Sequence, residues 1–104
     1  MTFKELMQEI GYELKTTFWE DFTIADKLGE DAVRDTYKRA FEEWKGNYVY
    51  LTELVVILNH KIWQHYETNR AIAALYHELW QEADDYAVKN LTGKELDYFY
   101  KTTD

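Results

Sequence analysis

Apolar residues along this chain recur at intervals of three and four over most of its length, the spacing of one helix face. Over residues 30–45, Ala32, Val33, Thr36, Tyr37, Ala40, Phe41 and Trp44 form one stripe, while Arg34, Asp35, Lys38, Arg39, Glu42 and Glu43 fill the other face. Gly46 and Asn47 tolerate positive φ and end that helix. Over residues 48–66, Leu51, Leu54, Val55, Leu58, Ile62 and Tyr66 keep helical spacing, and Val56, Ile57 and Trp63 add apolar surface on other sides. This predicts the central, most buried helix. Thr68 and Asn69 supply a cap for the next, whose stripe is Ile72, Leu75, Tyr76, Leu79, Ala83, Tyr86 and Ala87.

Leu91-Thr92-Gly93-Lys94-Glu95-Leu96 reads as a capping box with a hydrophobic staple, so a last short helix brings Leu96, Phe99 and Tyr100 back onto the bundle. A frayed tail over 101–104 follows. At the other end, Phe3, Leu6, Met7, Ile10 and Leu14 predict an N-terminal helix over 1–15, peripheral to the bundle, and residues 16–28 a turn and a short helix that Gly29 terminates. The fold class expected is all-α: a compact bundle of three to four main helices plus short terminal helices, in one domain spanning 1–104. The absence of proline and the presence of only four glycines fit long helices joined by short turns.

Composition narrows the function. At 46% hydrophobic and 17% aromatic residues, apolar burial can offset chain entropy and the chain should fold. The lack of cysteine excludes disulfides, thiolate zinc sites and cysteine nucleophiles. The longest strongly apolar run, residues 54–58, falls far short of the ~20 residues of a bilayer span, and the N-terminus lacks a signal-peptide core. A cytoplasmic location without membrane association is expected. The net charge of −8 repels phosphate backbones, which disfavours direct nucleic-acid binding and favours a basic protein partner; solubility is the plainer use of the same charge.

Catalytic spacing is missing for each chemistry tried. His60, His65 and His77 lack the Glu three positions earlier that a di-metal bundle uses, and His60 and His65 fall off a common helix face. There is no serine, no phosphate-binding glycine loop, and the adjacent carboxylates diverge by about 100° on a helix. The segment from Phe22 through Ala25 and Gly29 to Val33 has the outline of a helix-turn-helix, but Asp35 stands where an aliphatic residue is usual, and Glu30 and Asp31 open its second helix with negative charge. A non-enzymatic protein with no metal and no cofactor is expected.

Recognition by surface remains. The candidate acidic face is Glu78, Glu82, Asp84 and Asp85, with no basic residue between Arg70 and Lys89. The candidate aromatics are Trp19, Tyr48, Trp63 and Trp80, part of an aromatic surplus that could serve a partner or a homodimer. A third reading is a small-ligand or nucleotide pocket at Asn59, His60 and Trp63, polar residues within the most apolar helix.

Phe18-Trp19-Glu20-Asp21-Phe22-Thr23-Ile24-Ala25, Asp35-Thr36-Tyr37-Lys38-Arg39-Ala40-Phe41, Tyr50-Leu51-Thr52-Glu53-Leu54, Leu58-Asn59-His60-Lys61 and the closing Thr102-Thr103-Asp104 resemble a family of small acidic proteins from phages and mobile elements of Gram-positive gut bacteria. The resemblance runs from about Thr16 to the end and implies no activity, cofactor or catalytic residue. What it implies is a setting in which such proteins act as stoichiometric inhibitors of host nucleic-acid-binding defence proteins, in the manner of anti-CRISPR proteins. A helical self-assembly module is the alternative expectation.

Overall fold

The computed structural model describes Glu5, residues 14–44 and residues 46–103. The described residues form an all-α bundle without strands, built from α1 (Phe18–Leu28), α2 (Glu30–Trp44), α3 (Tyr48–His65), α4 (Arg70–Asn90) and α5 (Gly93–Thr103). The N-terminal helix expected over 1–15 falls outside the described residues except at Glu5, which is helical, and at Leu14 and Lys15, which are not. No helix among the described residues is long and apolar enough to cross a membrane.

The joints follow from local chemistry. Gly29 separates α1 from α2 as a single residue at φ 117°, a left-handed conformation that a Cβ would strain. Its amide still donates to the Ala25 carbonyl at 3.0 Å, and Ala25 is buried at this turn, so a small residue lets the two helices approach. Gly46, at φ 83°, ends α2. Asn47 was expected to share that role, but instead opens α3, its side chain accepting from the amides of Val49 (3.1 Å) and Tyr50 (3.3 Å). Asn69 caps α4 through the Ile72 amide at 3.2 Å. The first turn of α5 closes through the Glu95 amide and the Thr92 carbonyl (3.2 Å). That helix continues over residues 101–103, where the sequence suggested fraying; Phe99 is buried beneath it and the Thr103 hydroxyl donates to the Phe99 carbonyl at 2.8 Å.

Helix α3 is the axis of the bundle. Leu51, Leu54, Val55, Ile57, Leu58 and Ile62 are buried on several of its sides, each fully buried side chain contributing roughly 1.5–3 kcal/mol of transfer free energy. Helix α4 runs antiparallel to it, with Ile72, Leu75, Tyr76, Leu79, Ala83 and Ala87 buried. Tyr86, expected in this stripe, is 36% exposed and leans outward against Phe41 (5.1 Å between ring centroids) and Trp44 (5.2 Å).

Two charged residues of α3 are fully buried: Glu53 and Lys61. Glu53 accepts from the amides of Lys15 (2.6 Å) and Thr16 (2.9 Å) and from the Thr16 hydroxyl, holding the chain as it enters α1. Thr17 itself makes no side-chain cap, so this long-range carboxylate supplies the anionic group that a helix N-terminus favours.

Replacing Glu53→Leu strips the acceptor from those amides and is expected to cost about 3 kcal/mol, whereas Glu53→Gln, which keeps one acceptor oxygen, costs about 1 kcal/mol. Urea unfolding followed by circular dichroism reads both; equal losses would assign the cost to packing alone.

Candidate functional site

The densest polar cluster gathers around Asp26, near the end of α1. One oxygen of its carboxylate accepts from the Lys61 ammonium at 2.8 Å and lies 3.0 Å from His65 Nε2; the other accepts from the Tyr76 hydroxyl. Lys61 also donates to the Thr23 hydroxyl (3.2 Å) and stands 4.1 Å from the centre of the Trp19 ring, so each of its three N–H groups has somewhere to point. The imidazole of His65 stacks on the Tyr76 ring, 5.8 Å between centroids and 7° from parallel. Burial pushes the Lys61 pKa down against the opposing pull of Asp26, and pushes the Tyr76 phenol up, with the hydrogen bond to Asp26 adding to the rise.

This arrangement joins α1, α3 and α4 and leaves no polar group of Lys61 or Tyr76 open to a substrate. It is a structural lock, and it was not among the sites expected from the sequence. A signal for it was present: Lys61 follows Leu54, Ile57 and Leu58 at helical spacing and Glu53 precedes Ile57 by four, so both charges fall on buried stripes.

The candidate acidic face divides. Glu78, Glu82 and Asp85 lie on one exposed stripe of α4, whereas Asp84 is half-buried on another side. The stripe is not free of positive charge, as chain order suggested, because Arg34 of α2 reaches Glu78 at 3.3 Å. With the two side chains 46% and 61% exposed, that pair is worth little in stability, but it offsets one of the three charges. Glu82 faces the buried Tyr37 hydroxyl without ordinary hydrogen-bond geometry; that hydroxyl has no hydrogen-bond partner among the described residues, and burial followed by Glu82 pushes its pKa up.

The candidate aromatics also part company. Trp19 is half-buried in the lock, 5.4 Å from the His60 ring, and Tyr48 is half-buried against Tyr98 at 5.3 Å. Trp80 is half-buried against His77 at 5.8 Å. Trp63 alone of the four stands well out, 66% exposed beside Tyr66, whose ring in turn lies under the Arg70 guanidinium at 5.0 Å.

Asn59, His60 and Trp63 do not converge on a shared pocket: His60 turns to Trp19, and burial with Lys61 nearby lowers its pKa. Asn59 instead borders a cavity of about 230 Å³ with Val56, Trp80, Asp84 and Tyr100, where α3, α4 and α5 meet. Further along the α3–α4 seam, Ile62, Tyr66, Ala73 and His77 line a mostly apolar depression of about 390 Å³. His77 borders one and Trp80 the other, so the two depressions adjoin. Among the described residues, no three histidine, aspartate or glutamate side chains gather as a metal ion would require.

The fold and these sites define an all-α bundle with a buried ionic lock and a partly aromatic seam on its outer side. No family model, curated protein or solved structure matches the chain.

The two buried phenols give a prediction with a definite sign. Their folded-state pKa values are raised, so the stability they contribute is present below the ordinary phenol value of about 10 and is lost as pH rises above it. Spectrophotometric titration is expected to show Tyr37 and Tyr76 ionising only as the protein unfolds. Tyr76→Phe, which deprives Asp26 of a donor, is expected to cost about 1–3 kcal/mol, and Tyr37→Phe, which removes an unpartnered hydroxyl, to be neutral or stabilising by about 1 kcal/mol.

Proposed function

We propose that this chain is a non-enzymatic binding protein that engages a basic protein surface through the α3–α4 seam. In the phage and mobile-element setting that the resemblance implies, it acts as a stoichiometric, anti-CRISPR-like inhibitor of a host nucleic-acid-binding defence protein. One observation carries this reading: Tyr66 and Trp80 line two adjoining depressions on one side of the molecule, and the exposed Trp63 ring stands beside Tyr66. Large aromatics beside concave surface are the features that dominate protein interfaces. The net charge of −8, with Glu82 and Asp85 in no ion pair among the described residues, supports a partner of opposite sign and a fast, salt-sensitive encounter.

Polyanions should compete for such a partner. Capture from a host lysate is expected to yield a basic protein in equimolar ratio that heparin or duplex DNA displaces. Trp63→Ala is expected to weaken that complex by about tenfold or more, as an interface anchor does. The triple variant Glu78→Lys, Glu82→Lys, Asp85→Lys should slow association more than it speeds dissociation. Capture untouched by either variant or by polyanion would overturn the reading, and a dimeric mass by light scattering that Trp63→Ala reverts to monomer would replace it with self-assembly.

A further inference from the structure

The cavity at the junction of α3, α4 and α5 combines three features that a cation requires. Asp84 supplies a half-buried carboxylate with no ion pair or hydrogen bond among the described residues. Trp80 and Tyr100 supply aromatic rings at its walls, and the Asn59 amide oxygen supplies a neutral acceptor. Valine side chains, including Val56, line the wall beside them. At about 230 Å³ the space lies below the ~300–1,000 Å³ of pockets that hold drug-sized ligands, so it suits a single side chain and not a nucleotide.

We infer that this cavity receives one lysine or arginine side chain of the basic partner, its charged head on Asp84 and its alkyl stem along Val56 and the Trp80 ring. The inference rests on the proposed binding function and names the contact that anchors it. Burial and the adjacent Asp85 raise the Asp84 pKa, the sign of a carboxylate whose charge is incompletely compensated; a cation at this position removes that cost. Glu78 is already engaged by Arg34, whereas Asp84 has a concave surface beside it, so Asp84 is the better-placed of the acidic candidates to hold a side chain.

The test uses the whole chain and no partner. N-acetyl-lysine methylamide and N-acetyl-arginine methylamide are titrated against the neutral isostere N-acetyl-norleucine methylamide while the Trp80 indole N–H resonance is followed by NMR. Saturable shifts are expected for the charged amides, with binding about tenfold tighter than for the neutral one. Asp84→Asn is expected to abolish that preference and Asp85→Asn to preserve it. Equal binding of charged and neutral amides, or no saturable shift, would overturn the inference without recourse to any variant. Butylammonium is the arm for a free amine, and tighter binding of it than of the blocked lysine would overturn the assignment to a side chain. Because these probes need no partner, failure here is separate from failure of partner capture: the cavity can prove wrong while the binding function stands, and the reverse.

Discussion

The bundle depends on two buried charges of α3 that grip α1 at both ends. Glu53 holds the backbone entering α1, and Lys61, eight residues or ~12 Å further along the helix, holds Asp26 near its exit. The order of the contacts makes α1 and α3 parallel, and the signs match the α1 dipole: a carboxylate at the amino end, an ammonium toward the carboxyl end. Apolar packing alone would let a short helix with three buried residues slide or rotate on its neighbours. Charges that are expensive to bury unpaired do not allow it, since a shift of one turn would strand both. Tyr76 then ties α4 to the same aspartate, with His65 of α3 stacked on its ring, so one carboxylate fixes the mutual placement of three helices.

Much of the backbone was legible because its determinants are local. The apolar stripes of α2, α3 and α4, the break at Gly29 and the cap at Asn69 all lie within a turn or two of the residues they control. The lock was only half legible: spacing puts Lys61 and Glu53 on buried stripes, but it cannot name what they meet there, and the partners of Lys61 lie 35 and 38 residues away. The acidic residues divide for a related reason. Asp84 and Asp85 are neighbours in sequence but point about 100° apart on a helix, and the neutralising Arg34 arrives from a helix 44 residues earlier. Counting charge along one segment therefore leaves out the part of the field that a second helix supplies.

The aromatic residues show the same division between local and global information. Their number suggested surplus, yet Trp19 works beneath an ammonium, Tyr48 packs on Tyr98, and Tyr86 closes the seam between α2 and α4. The parallel course of those two helices, set by Arg34 on Glu78 and Phe41 on Tyr86, brings aromatic and charged residues into one ladder. Against that background Trp63 stands apart as a ring whose exposure no internal contact accounts for, though Tyr66 lies beside it.

The ionic lock and the aromatic seam use different residues of α3: Glu53 and Lys61 turn inward to α1, while Asn59 and Trp63 turn outward. A helix divided in this way separates folding from contact. Substitutions at Asn59, Trp63 or Asp84 leave the lock intact, so the outer face can be rewritten while the scaffold holds. That division makes sequence change on one face compatible with an unchanged architecture on the other.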